Sequence, residues 1–133
     1  MSLDFEGKVA IVTGSGGGIG KGYALELAKR GAKVVVNDLG GAVDGSGGSL
    51  SAAEAVVQEI ETAGGEAMAN GANVCSEEDV KNMVQATMEK WGRVDILINN
   101  AGILRDKSFA KMEWSDFVTV VNVHLMGLSL IHI

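Results

Sequence analysis

Two kinds of apolar segment alternate along this chain. Residues 8–13 (KVAIVT) form a short β-branched run without polar interruption, which predicts a strand buried on both faces of a parallel sheet. Glycines follow, and then residues 20–30 (GKGYALELAKR), where Tyr23, Ala24, Leu27 and Ala28 recur at the spacing of one helix face. Gly31 stops that helix, since glycine accepts the left-handed turn beyond a last helical residue. Residues 33–38 (KVVVND) repeat the buried-strand pattern, and residues 39–49 (LGGAVDGSGGS) read as a long glycine-rich loop. Ser51-Ala52-Ala53-Glu54 has the form of a capping box and predicts a helix to about residue 63, closed by Gly64 and Gly65. Residues 66–74 contain a third strand, interrupted at Gly71. Ser76, followed by Glu77, Glu78 and Asp79, predicts a capped helix start with acids against the positive end of the dipole. That helix runs to about Trp91 and closes at Gly92; residues 94–98 (VDILI) form a fourth strand, and a last helix begins near Glu113. Strict β-α alternation of this kind predicts an α/β fold with a parallel sheet, right-handed crossovers and helices on both faces.

Composition narrows the class. The 133 residues suit one domain, and 47% hydrophobic with 21% charged residues describes a globular chain rather than a disordered one. No uninterrupted apolar run approaches the length of a membrane span, so no membrane is expected as a partner, and the amino terminus has no signal-peptide pattern. A net charge of −6 argues against nucleic acid, whose binding draws on a basic face. The single cysteine, Cys75, excludes an internal disulfide and fits a reducing compartment, here expected to be the cytoplasm. No motif sets a His or Asn beside it, so it reads as a structural thiol.

The chemistry begins at Thr13-Gly14-Ser15-Gly16-Gly17-Gly18-Ile19-Gly20, between the first strand and the first helix. A diphosphate needs main chain to approach closely and favours the free N–H groups and dipole of a helix N-terminus; glycines there meet both needs. A tight turn alone is the plainer reading, and the strand-loop-helix setting favours a dinucleotide. A phosphate-binding P-loop is the rival, because Gly20-Lys21 is present, but it requires glycine at position 15 and a hydroxyl at position 22. Ser15 and Gly22 stand there. Asp38 ends the second strand, where a carboxylate can accept hydrogen bonds from ribose hydroxyls and repel a 2′-phosphate, favouring NAD over NADP. Asn99-Asn100-Ala101-Gly102 follows the fourth strand at the carboxyl edge, where amides can hold neighbouring strands and small residues leave room for a ligand.

Taken together, TGSGGGIG (13–20), VVVND (34–38) and NNAG (99–102) resemble the short-chain dehydrogenase/reductase family at that family's spacing. The resemblance implies the N-terminal half of a Rossmann-type doubly wound parallel sheet and hydride transfer between NAD(P) and an alcohol or carbonyl. It assigns Gly14, Ser15, Gly18, Ile19 and Gly20 to the pyrophosphate region, Asp38 to the adenosine ribose, and Asn100, Ala101 and Gly102 to the nicotinamide side. Asn73-Val74 falls where many members carry Asp-Val against the adenine, so an uncharged amide takes that place. His124 (HLMG, 124–127) falls where a catalytic Asn usually stands, and Asn122 lies two residues earlier; a helix histidine without catalytic duty is the alternative. VVVNDLGG (34–41) and NNAGILRDKSFAKM (99–112) are similar to the (3R)-hydroxyacyl-CoA dehydrogenase domains of peroxisomal multifunctional enzymes and their bacterial relatives. That implies exchange between (3R)-3-hydroxyacyl-CoA and 3-ketoacyl-CoA, a homo-oligomeric parent protein, and no metal. A steroid or an acyl-carrier thioester as substrate, or a non-catalytic nucleotide-binding module, is the alternative.

The family's Ser and Tyr-x-x-x-Lys have no counterpart in the sequence, where Tyr23 is followed four residues on by Leu27. The expectation is therefore a truncated NAD-binding part over residues 1–127, inactive by itself, with an uncovered strand edge and poor solubility. The tail LSLIHI (128–133) is what the end of a sequencing-library transposon adapter encodes in one reading frame, and is expected to be non-native.

Overall fold

A computed structural model describes residues 3–40 and 50–132, and the glycine-rich stretch 41–49 lies outside the described residues. The elements run β1 (Val9–Thr13), α1 (Gly18–Lys29), β2 (Lys33–Asn37), α2 (Ser51–Thr62), β3 (Ala67–Asn70), α3 (Glu77–Trp91) and β4 (Ile96–Ile98). A short 3-10 turn (Phe109–Lys111) then precedes α4 (Trp114–Val121), a π-helical stretch (Asn122–Met126) and α5 (Gly127–His132). These last three run on as one rod. All strand pairs are parallel, in the order β3-β2-β1-β4. The chain winds outward from β1 through β2 to β3, then crosses back to set β4 on the other side of β1. The switch in winding direction therefore falls between β1 and β4, where an open α/β sheet leaves a crevice beyond its carboxyl ends.

Alternate strand residues feed two cores. Ala10, Val12, Val34 and Val36 pack under α1 and α2, against Ala24, Leu27, Val56 and Ile60. Ile11 and Val35 face the other way and pack with Val80 and Met83 of α3 and Ile131 of α5. All of these are buried, as uninterrupted apolar strands with helices on both faces require. Doubly wound α/β architecture thus follows from the residue pattern.

Several local expectations are corrected. Helix α1 begins at Gly18, two residues earlier than its apolar spacing suggested, because the glycines themselves form the first turn. At α2 the capping position falls to Leu50, already in the helical region of φ/ψ, without a side-chain cap, so Ser51-Ala52-Ala53-Glu54 is not a capping box. The strands are shorter than their apolar runs: β3 stops at Asn70, before Gly71, and β4 starts at Ile96. The Asp95 side chain bonds instead to the Val9 N–H at 2.9 Å. The α3 start matches expectation, with the Ser76 hydroxyl accepting the Asp79 N–H at 3.2 Å and Gly92 closing the far end.

One helix departs from the expectation that no segment is long and apolar enough to span a membrane. Residues Trp114–Ile131 form a helical span of 18 residues with mean hydropathy 1.3, long and apolar enough by length and composition to cross a bilayer. Asn122, His124 and several hydroxyl residues break up the run without bringing down its mean. Asp116 at one end is buried beneath Arg105 and Lys107, and Ile131 at the other is seated in the lower core.

Between these anchors the rod and the preceding loop carry an apolar surface. Phe109 is 92% exposed and Trp114 76%, and Leu104, Phe117, Leu125 and Leu128 are exposed as well. We expect the 133-residue chain to self-associate and to bind a hydrophobic dye strongly, as measured by light scattering and dye fluorescence at increasing concentration. A sharp, reversible thermal transition from a monomer would contradict this.

Candidate functional site

At the switch point the end of β1 and the turn after β4 are joined by a small polar network. The Thr13 hydroxyl, buried at the last position of β1, accepts the N–H groups of Asn100 at 3.1 Å and Ala101 at 3.0 Å. The Asn100 amide donates to the carbonyls of Thr13 at 3.1 Å and Gly14 at 3.0 Å. The expected role of an amide here in holding neighbouring strands is what the geometry displays.

The join decides which glycines the loop must have. A Cβ on Gly14, whose φ is +65°, would lie 2.8 Å from the Ala101 Cα. A Cβ on Gly20 would clash with both the Asn100 side-chain nitrogen and the Gly14 carbonyl oxygen. A Cβ on Gly16 would lie 2.7 Å from an Asp38 carboxylate oxygen. These three are glycine because protein already fills the space. Gly17 and Gly18 have nothing within 4 Å of such a Cβ, so their bare main chain faces open space.

That open main chain is the start of α1. Gly17 is its cap residue, no side chain caps it, and no acid lies in its first turn. An uncapped helix start beside bare glycine is where a diphosphate fits. Ile19, at the same spot, is 72% exposed, an apolar side chain at the mouth of the loop. Asp38 faces the loop from β2. One carboxylate oxygen accepts the Gly16 N–H at 2.8 Å and the other the Gly40 N–H at 2.7 Å, so that each oxygen takes one hydrogen bond among the described residues and has a second lone pair to offer.

Ser15 departs from expectation. It is fully buried, and its hydroxyl donates to the Val12 carbonyl at 2.7 Å, so that side chain braces the loop and is not offered to a ligand. A hydroxyl in a glycine loop reads as a ligand group from sequence, but here the tight turn folds it inward.

Beyond the join a cleft is lined by Thr13, Val74, Asn99, Asn100, Ala101 and His124 among others. His124 lies in the π-helical stretch, a form of local helix widening common at functional sites. Its Nε2 lies 2.9 Å from the Ile103 carbonyl and 3.1 Å from the Ile103 N–H, so it donates to one or accepts from the other according to its protonation. The ring rests on Gly102, where a Cβ would be 2.7 Å from Cε1. Asn122 is exposed and does not line the cleft. Val74 does, packed against Gly127, but Asn73 does not. The Asn73 amide oxygen accepts the Cys75 N–H at 2.9 Å, and its own N–H donates to Asp79 at 2.9 Å, so it shapes the turn after β3. Burial raises the half-buried Cys75 thiol above its ordinary range, which keeps it protonated and unreactive.

Two residues escaped the sequence reading. Thr13 was counted only as the edge of the glycine loop, and Asn37 only as a neighbour of Asp38. The available signal was a polar residue closing an otherwise apolar buried strand, where an unpartnered polar group is costly.

The flank of the cleft is held by charge. Asp116 is buried and accepts hydrogen bonds from Lys107 at 2.7 Å and Arg105 at 2.9 Å, which hold its carboxyl below the ordinary value of 3.8.

Comparison with known proteins follows the same outline. A family model described as short chain dehydrogenase matches residues 8–132. The chain is 61% identical over 127 residues to the peroxisomal multifunctional enzyme A of Dictyostelium discoideum, covering 96% of this chain and 28% of that protein. It is 55% identical over 126 residues to the peroxisomal hydratase-dehydrogenase-epimerase of Saccharomyces cerevisiae, covering 95% and 14%. A crystal structure of a short chain dehydrogenase from Mycobacterium avium superposes with a TM-score of 0.85 at 48% identity, over 95% of this chain and 44% of that one. The chain thus spans less than a third of the length of these two curated relatives.

Two outcomes are expected. Replacing Thr13 by the isosteric Val strands two half-buried N–H groups, and urea titration should show a loss of about 1 kcal/mol; an unchanged midpoint would refute the network. Asp116, with its folded pKa depressed, stabilises the chain above its unfolded pKa, and that contribution is lost as pH falls through the folded value. Hydrogen exchange in residues 103–112 should therefore accelerate, beyond the intrinsic rate, as pH drops below 3.8, whereas in Asp116→Asn it is already fast at neutral pH. Equal exchange in the two proteins at neutral pH would contradict this.

Proposed function

The chain belongs to the short chain dehydrogenase family, and from that premise we propose that it is the NAD-binding part of an oxidoreductase. The reaction is hydride transfer between NAD and a secondary alcohol or ketone, with (3R)-3-hydroxyacyl-CoA and 3-ketoacyl-CoA as the substrate pair. The observation that carries the cofactor reading is Asp38. Its carboxylate stands at the rim of the glycine loop, tied to Gly16, with lone pairs left for the two ribose hydroxyls of an adenosine. A 2′-phosphate brought to the same place would meet like charge, which selects NAD.

The residues present fit a dinucleotide. Gly18, Ile19 and Gly20 offer the uncapped start of α1 to the diphosphate, and Gly14 supports them through its contact with Ala101. The family resemblance gives Asn73–Val74 to the adenine side; Asn73 shapes the turn, and Val74 reaches the same cleft as Asn100 and His124. Asn100, Ala101 and His124 line the nicotinamide side, with Gly102 beneath the His124 ring, and His124 is the candidate catalytic group there. NAD, when bound, supplies the hydride acceptor; these residues orient it and exclude water. The acyl-CoA reading rests on likeness across residues 99–112 and on relatives named as multifunctional or hydratase-dehydrogenase-epimerase enzymes. Those relatives are named as peroxisomal; for this chain the cytoplasm is our proposal, on a single cysteine and thus no internal disulfide.

Titration with NAD and NADP, followed by fluorescence or calorimetry, tests the cofactor reading. Asp38→Ala should weaken NAD by about tenfold or more and narrow its margin over NADP, as expected when a charge-assisted bond is removed. Failure of the unaltered protein to bind NAD, or identical NAD affinity in Asp38→Ala, would overturn it.

A further inference from the structure

The ladder between β2 and β3 ends with Asn37 opposite Asn70. Past that pair the two chains part. One becomes Asp38 and turns toward Gly16; the other runs through Ala72 to Val74 in the cleft. No backbone ladder spans the gap between them, and one side chain does. Asn37, 1% exposed, donates from its amide nitrogen to the Ala72 carbonyl at 3.0 Å and to the Asn70 side-chain oxygen at 3.2 Å, with the Asn70 carbonyl at 3.4 Å. That Asn70 oxygen also accepts the Ala72 N–H at 2.9 Å, and the Asn70 carbonyl accepts the Asp38 N–H at 3.0 Å. The main-chain carbonyl of Asn37 accepts the Ser15 N–H at 2.9 Å, which reaches into the glycine loop.

One residue therefore bonds both to the glycine loop and to the end of the β3 strand at Asn70 and Ala72, and is joined directly to Asp38. We infer that Asn37 is a positioning residue that sets the width of the adenosine slot, holding the Asp38 side and the Asn70–Ala72 side at fixed separation. This rests on the NAD reading above. The chemistry fits an amide in particular. Its two N–H bonds meet two acceptors on the far wall, while an aspartate would set a buried charge against those same acceptors and a leucine would leave them bare.

The test uses the full-length gene product and two ligands that share the adenosine half, NAD and ADP-ribose. Asn37→Leu should weaken both by the same factor, about tenfold, the scale of one or two lost hydrogen bonds. Asn70→Ala keeps the bond to Ala72 and removes one acceptor; it is the milder variant should Asn37→Leu not fold, and about threefold is expected on both ligands. A purely structural role lowers the melting temperature and leaves both dissociation constants unchanged. General loosening of the site weakens NAD more than ADP-ribose. Either result overturns the inference while leaving the NAD reading intact. If the unaltered protein binds neither ligand, the NAD reading fails and the inference falls with it.

Discussion

Everything at the carboxyl edge of this sheet hangs on the join between β1 and β4. A doubly wound sheet must reverse its direction of growth somewhere, and the strands on either side of the reversal carry their connections to opposite faces. The gap that opens there would leave main-chain groups without partners if nothing crossed it. Here the Thr13 hydroxyl and the Asn100 amide cross it, with four hydrogen bonds between 3.0 and 3.1 Å. So close a seam leaves no room for side chains on Gly14 or Gly20. The glycine signature therefore has two authors: the protein's own packing dictates its first and last positions, and only Gly17 and Gly18 are left bare toward solvent.

The same sequence treats its helix starts in two ways, and the contrast bears on charge. Helix α3 opens on a Ser76 cap with Glu77, Glu78 and Asp79 in its first turn, so its dipole is answered from within. Helix α1 opens on glycine with neither cap nor acid. In a chain of net charge −6, an acid-free, uncapped helix start is a local reserve of positive potential at the head of the crevice. Asp38 stands to one side of it, with its oxygens turned to Gly16 and Gly40, so its negative charge falls beside the glycine loop rather than in the first turn of α1. A site of positive potential and a hydrogen-bonding carboxylate thus lie side by side at the head of the crevice.

Much of this was legible because it is local. Buried strands show as unbroken Val and Ile runs, and Gly92 and Ser76 mark the ends of α3 whatever the rest of the chain does. The errors came where a local pattern was overruled or where the partner lay far away in sequence. Leu50 took the cap that Ser51 should have held, since the helix began one residue sooner. Counting uninterrupted apolar residues missed the helical span Trp114–Ile131, because its polar members are spread thinly along it. Ser15 reads as a ligand group until the turn buries its hydroxyl against Val12. Thr13 and Asn37 act on residues 87 and 35 positions away, and no periodicity carries that information.

The hydrogen-bonding side chains gather at this edge for one physical reason. The strands end unevenly, with five residues in β1 and β2, four in β3 and three in β4. Wherever a ladder stops short, the neighbouring strand's next main-chain groups lose their partners, and water or a side chain must replace them. On this rim Asn37, Asn70, Asn100 and Thr13 do so, each an amide or hydroxyl able to bond without adding charge. The rim is also where the loops that follow β1, β3 and β4 meet. Groups that satisfy the frayed ends of the sheet are then the same groups that fix the spacing of the crevice, so stability and recognition at this edge cannot be altered independently.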